Sequence, residues 1–279
     1  MLRVLKSGFF TTIQDLGRFG YRDKGVPVAG AMDTASVKKA NLLLENEANA
    51  AVMEITMTGP TLEFENPTCI CLSGAHLSPT LNNRPIENYQ VVKVSKGDIL
   101  SYGKLEKGFR GYLAIKGGFK TAEILGSRSQ YFPVTSHKRL KDGDEVDYHG
   151  TSSFSPAISE IKLHDRFSIS TLEVYTGPEF SMLTDGQLAT IFSKSFTISK
   201  ENNRMAYQLS ELIEGHSNSI LTSGTLPGTI QLTPAGRLII LMKDGQTTGG
   251  YPRILQLSEN SISVLAQKKF GDSLSFKLL

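Results

Sequence analysis

Apolar and polar positions along the chain fall into two textures. Between residues 34 and 47, Val37, Ala40 and Leu44 recur at helical spacing, with Lys38, Lys39 and Glu45 off that stripe. Asp33 stands just before the run and carries the acceptor that a helix N-cap needs. The pattern predicts an amphipathic helix over 34–47, preceded by a short strand and a turn within residues 1–13. From Val52 the texture changes. Short runs rich in Val, Ile, Thr, Phe and Tyr alternate with Gly, Pro, Asn and Asp, and strands are expected at 52–57, 61–65, 68–72, 89–94, 99–102, 109–116 and 145–148. The second half predicts strands at 161–163, 166–170, 172–176, 196–199, 219–222, 229–233, 237–242, 262–266 and 273–278. A helix is expected from Asp185, with Leu188, Ile191 and Phe192 on its buried side. Many short strands punctuated by turns point to a mainly β chain with a few short helices, built as sandwiches or barrels.

A chain of 279 residues is long enough for two domains. The stretch 149–160, with Thr-Ser-Ser-Phe-Ser-Pro, has linker-like composition and sets expected domains of 1–155 and 156–279. The halves echo each other. Glu54-Ile-Thr-Met-Thr-Gly-Pro60 resembles Glu173-Val-Tyr-Thr-Gly-Pro178, and Gly17-Arg-Phe-Gly-Tyr21 resembles Asn203-Arg-Met-Ala-Tyr207. The order of the two segments is reversed between the halves, which fits a permuted duplication or a chance likeness of hairpins.

Composition narrows the function. A net charge of +3, without any Lys/Arg run, and the absence of Trp argue against a nucleic-acid partner. No apolar window approaches the length of a membrane span, and Met-Leu-Arg-Val-Leu-Lys does not read as a signal peptide. Cys69 and Cys71 lie two apart on one expected strand. They read as buried thiols, which fits a reducing, cytoplasmic setting. The five His are scattered, so no metal set is expected. Phosphate-loop, dinucleotide and serine-elbow motifs are all missing.

What remains is a set of glycine-rich polar loops. The opening one, residues 14–33, holds Gln14, Asp15, Arg18, Gly20, Arg22, Asp23, Lys24 and Asp33. The loop 243–252 holds Asp244, Gln246, Thr247, Gly249 and Tyr251 after the apolar run 238–242. Gly117-Gly118 with Gly126-Ser127-Arg128, and Asn202-Asn203-Arg204, complete the set. Glycine lets backbone approach a ligand. Guanidinium groups at Arg18, Arg128 and Arg204 offer a fork for carboxylate or phosphate. Asp15, Asp33 and Asp244 are candidate acids or bases, with Gln14, Gln246 and Thr247 to orient an amide. Solvated loops and ordinary surface arginines are the competing readings.

Together these loops match a known family in order. Gln14-Asp-Leu-Gly-Arg-x-Gly20, Gly25-Val-Pro, Gly30-Ala-Met-Asp33, Ala40-Asn41, Glu54, Gly117-Gly118, Gly126-Ser-Arg128, Asn203-Arg-Met205 and Asp244-Gly-Gln-Thr-Thr-Gly-Gly-Tyr-Pro252 resemble the KipA family, also called allophanate hydrolase subunit 2 or the biotin-dependent carboxyltransferase family. The resemblance runs nearly end to end. It implies two cyclophilin-like β-barrels, and a partner in the form of a KipI-type subunit. Free-standing members are similar to the C subunits of prokaryotic 5-oxoprolinases. Those enzymes also use a lactam-utilisation subunit. They open 5-oxo-L-proline to L-glutamate with ATP as co-substrate. The resemblance implies that the isolated chain is inactive. The alternatives it leaves are the carboxyltransferase half of a biotin-dependent urea or amide carboxylase, and a non-catalytic antagonist of a KipI-type partner. No biotin-attachment sequence is present. Two departures bear on loop shape. Ser136-His-Lys-Arg-Leu140 replaces a glycine-rich family stretch, and Ala206 stands where Gly is common.

Overall fold

A computed structural model describes residues 1–158, 161–218 and 220–279. It divides into two compact units. One comprises Met1–Arg18 and Ala29–His164, the other Phe19–Val28 and Asp165–Leu279. The chain therefore passes between units at 164–165, nine residues beyond the expected boundary, and ten residues of the opening loop belong to the second unit.

The first unit holds two sheets. One runs in the order Glu145–Val146, Leu2–Lys6, Thr61–Phe64, Ile99–Tyr102, Pro79–Leu81, Arg84–Pro85. The other runs Phe10–Gln14, Val52–Thr56, Lys107–Ile115, Thr68–His76, Val91–Val94. Strand alternation sorts the second sheet's residues. Met53, Ile55, Ile70, Leu72, Leu113 and Ile115 share a core with Leu2, Val4, Leu62, Phe64 and Leu100 of the first sheet. Their neighbours Val52, Cys69, Cys71, Tyr112 and Ala114 point the other way and meet helix α1 (Thr34–Leu43) through Val37, Ala40 and Leu43. Burying such side chains contributes about 1.5–3 kcal/mol each, enough to hold a ten-residue helix that would be marginal alone. Asp33 caps α1 as its position suggested, accepting from the Ser36 amide at 3.0 Å. The helix stops at Leu43, short of 47, because Glu45 takes a left-handed φ of 49°.

The second unit closes into a barrel of seven strands. The order is Thr171–Thr176, Arg253–Leu257, Thr229–Leu232, Arg237–Leu241, Ala206–Leu212, Phe196–Asn202, Ser273–Leu278 and back to the first. Every second residue is buried: Leu172 and Val174, Phe196 and Ile198, Tyr207 and Leu209, Ile230 and Leu232, Leu238 and Ile240, Leu255 and Leu257, Leu274 and Phe276. Closure uses one parallel pairing, Thr171–Thr176 with Ser273–Leu278. Helix α2 (Asp185–Ser193) starts at the expected residue behind a capping box of Thr184 and Gln187. The mainly β character with few helices is thus what the structure has, and among the described residues no helix is long and apolar enough to cross a membrane.

Several expected strands are corrected. Residues 262–266 lie mostly in helix α3 (Glu259–Leu265), because Ser258 caps its first turn by accepting from the Ser261 amide. A short, fully buried apolar run reads alike in either state, and the cap decides. No strand forms at 161–163 or 166–170. At the latter, Asp165 accepts from the Phe167 amide and Ser168 bonds back to the Asp165 carbonyl, which closes a local turn. The strand expected at 219–222 falls partly outside the described residues, since Ser219 is not among them. Pairing begins at Ser223–Gly224, against Thr248–Gly249.

Candidate functional site

In the first unit the opening loop is built around Asp15. Its Oδ1 accepts from the Gly17 amide at 2.8 Å and the hydroxyls of Ser127 and Ser129 at 2.7 and 2.6 Å. Its Oδ2 accepts from the Arg128 amide at 2.7 Å. Four donors thus converge on a carboxylate that is nearly sealed from solvent. Asp15 is thereby the clasp between the opening loop and segment 127–129. Arg18, wholly buried, reinforces the clasp by donating to the carbonyls of Ile124 and Ser129, both at 2.9 Å. Gln14 donates to Thr12 Oγ1 at 3.0 Å and to the Gln130 carbonyl at 3.1 Å, while its Oε1 has no hydrogen-bond partner among the described residues.

The clasp shapes two clefts. One, of about 440 Å³, is lined by Asp15, Asn46, Asn49, Gly117, Gly126 and Arg128 with Lys116, Lys120 and acidic neighbours. The second, of about 320 Å³, is lined by Lys120, Thr121, Gln130, His137, Asp144 and Asp147, and again by Arg128. Three loops marked in the sequence therefore meet at one wall: the opening loop, Gly117-Gly118 and Gly126-Ser127-Arg128. Arg128 donates from Nη1 to the Thr121 carbonyl and lies 3.4 Å from Glu123.

Asp33 lies elsewhere in the same unit. Besides capping α1, it accepts from the Ser36 hydroxyl at 2.6 Å, and its amide donates to Tyr112 Oη at 2.8 Å. Tyr112 donates in turn to Glu54 Oε2 at 3.0 Å, which also accepts from the Met32 amide at 2.8 Å. Arg110 Nε stands 3.9 Å from Glu54 Oε1. Burial first, and then the charges of Glu54 and Asp33, push the Tyr112 phenol well above its ordinary pKa, so it stays a donor. Sequence reasoning missed the parts played by Tyr112 and Arg110. The signal lay in the two-residue alternation that sets both on the face shared with Glu54.

In the second unit Arg204 and Asp244 find each other. Nε and Nη2 donate to Oδ2 and Oδ1, each at 2.9 Å, a bidentate fork in a mostly buried position. The Asp244 amide also donates to the Arg204 carbonyl at 2.9 Å. A second fork, absent from the sequence reading, joins Arg253 to Glu179 at 2.9 and 2.7 Å. The Arg253 partnership holds the Glu179 carboxyl below its ordinary pKa. The loop 245–251 leans on Thr225, whose hydroxyl donates to the Gln246 carbonyl and whose amide donates to the Thr247 carbonyl at 3.0 Å. Arg22, from the part of the opening loop that belongs to this unit, donates to the Thr225 and Thr247 carbonyls, and burial lowers its pKa. A Cβ at Gly249 would come within 2.6 Å of Gln231 Nε2, so that side chain would have to shift. Gln246 and Tyr251 are exposed, the latter by 41%. Gly20, with φ of 85°, meets nothing within 4 Å. Asp15 and Arg128 thus share one wall, and Arg204 and Asp244 share a fork. Asp33 stands apart from Asp15 in the network of Glu54 and Tyr112. No metal-binding cluster occurs among the described residues.

Comparison with known proteins agrees with this architecture. The C subunit of the Escherichia coli (strain K12) 5-oxoprolinase is 32% identical over 282 residues, covering 99% of this chain and 90% of that protein. The urea amidolyase of Lachancea kluyveri is 31% identical over 98% of this chain, which spans 16% of that larger protein. The crystal structure of the Kluyveromyces lactis urea carboxylase superposes on the whole chain with a TM-score of 0.87 at 28% identity, the match covering 27% of it. Residues 24–278 match the carboxyltransferase domain, subdomains A and B, and the chain belongs to that family.

Proposed function

We propose that this chain is the C subunit of an ATP-dependent 5-oxoprolinase that opens 5-oxo-L-proline to L-glutamate. The carrying observation is its likeness to the C subunit of the Escherichia coli 5-oxoprolinase over nearly the full length of both chains. A lactam carbonyl is a poor electrophile, so water opens the ring only when the amide is activated. ATP, as co-substrate, supplies that activation and leaves as ADP and phosphate, while the ring nitrogen takes up a proton. The partners under this reading are two: a KipI-type subunit, and with it a lactam-utilisation subunit.

The larger cleft does not suit the nucleotide. Asp15, Glu45, Glu47 and Glu123 face Lys116, Lys120 and Arg128 there, so the lining gathers no net positive charge to match a triphosphate. No step is therefore assigned to ATP on this chain. Its own contribution is a set of loops fixed before substrate arrives. Asp15 positions Arg128, and the Arg204–Asp244 fork holds 203–205 against 242–245.

The test is reconstitution with both partners. Glutamate release from 5-oxoproline is expected only when ATP and all three proteins are present. An assembled complex that releases none would overturn the proposal. The urea amidolyase likeness favours one other reading, transfer of a carboxyl group from carboxybiotin to urea. Consumption of urea with bicarbonate, dependent on an added biotinylated carrier, would select it.

A further inference from the structure

Resting on the 5-oxoprolinase reading, we propose that the 440 Å³ cleft of the first unit is the seat of a small monocarboxylate, and that Lys120 is its charge partner beside Arg128. Several charges in the cleft are already committed. Asp15 has four donors on its carboxylate. Lys116 donates to the carbonyls of Leu44 and Glu45 at 2.8 and 3.1 Å and sits 4.1 Å over the Phe154 ring. Glu45 accepts from the Ala157 amide at 2.6 Å. Glu47 is exposed at the rim.

Lys120 differs. It is half-buried, it lines both clefts, and among the described residues its ammonium has no hydrogen bond or ion pair. A half-buried cation without a partner favours an incoming anion. Two neutral donors stand at the same wall. The Asn49 carbonyl oxygen accepts from the Leu16 amide at 2.9 Å, which fixes the side-chain amide and leaves its N–H groups to the cleft. The Gly126 amide makes no hydrogen bond among the described residues.

Glu123 already stands where the ligand's charge would go. Its carboxylate lies 3.4 Å from Arg128, is 54% exposed, and is screened by solvent. A substrate carboxylate exchanges with it, gaining Lys120 as well. One negative charge fits that exchange, whereas a polyphosphate would meet the remaining acids.

Calorimetric titration of the assembled complex with 5-oxoproline, with 2-pyrrolidinone (the same ring without the carboxylate) and with inorganic phosphate tests this. Lys120→Met is expected to weaken 5-oxoproline about tenfold and to leave 2-pyrrolidinone unchanged. Glu123→Gln is expected to tighten 5-oxoproline, an effect that general loss of structure cannot produce. Phosphate binding that displaces 5-oxoproline and vanishes in Lys120→Met would assign the site to a phosphate source and overturn the carboxylate. Unchanged 5-oxoproline affinity in both variants would overturn the site while leaving the enzyme activity standing. Conversely, Lys120-dependent binding in a complex that never releases glutamate would sink the activity and keep the site.

Discussion

Each charged candidate residue is held by a neighbour, and that determines what its removal does. Arg204 keeps only 7% of its side chain exposed. Asp244→Ala would remove the fork from that guanidinium, at a cost of about 1–3 kcal/mol, read as a lower urea midpoint. Arg204→Met with Asp244→Leu should lose less than either single change, because both members of the fork leave together. The Glu179–Arg253 fork makes an acid-range prediction. Its folded pKa lies below the ordinary carboxyl value, so its contribution is complete above that value and fades as pH falls through the lowered one. Glu179→Gln is therefore expected to flatten the acid limb of a stability-against-pH curve, checked by urea midpoints from neutral pH down into the acid range. The sequence marked Arg18, Arg128, Arg204, Asp15 and Asp244 as functional groups, but not their pairing. A guanidinium written beside glycines looks the same whether it awaits a ligand or grips a carbonyl. Only the fold distinguishes Arg18, spent on Ile124 and Ser129, from Arg128, which lines two clefts.

Among elements, the turn at Gly30 carries a tight steric demand set by backbone. A Cβ there would lie 2.7 Å from the Gly17 amide nitrogen and 2.8 Å from its Cα, on a backbone with φ of 81°. Ala31 then donates to the Asp15 carbonyl at 2.8 Å, so this contact aligns the segment leading to α1 with the clasp. Gly30→Ala is expected to cost about 2 kcal/mol or more in thermal unfolding. It should also weaken 5-oxoproline binding through the displaced Asp15, whereas Gly20→Ala meets only the backbone penalty. Element existence was largely legible from pattern, with α1, α2 and most strands near their expected places. Helix α3 was not, because Ile262, Val264 and Leu265 are β-branched or bulky and buried all round, which erases the helical period. The hairpin Pro79–Leu81 with Arg84–Pro85 was missed too, since proline and charge obscure strand texture.

For the whole molecule, the two units offer separate reporters of stability. Both cysteines lie in the core of the first unit, and burial pushes the Cys71 thiol up to about 12. Neither should react with a thiol reagent until that unit opens, so labelling rate against denaturant reads the first unit alone. Labelling that stays slow beyond the main loss of far-ultraviolet dichroism would show that the barrel gives way first. The second unit's assembly has a further consequence. It recruits Phe19–Val28 from near the start of the sequence, and its closing strand is Ser273–Leu278, laid parallel to Thr171–Thr176. On a translating ribosome the first unit's strands all emerge early, while the barrel waits for a segment still inside the exit tunnel. Until that segment appears, Thr171–Thr176 is an open seam that chaperones or a neighbouring nascent chain can occupy.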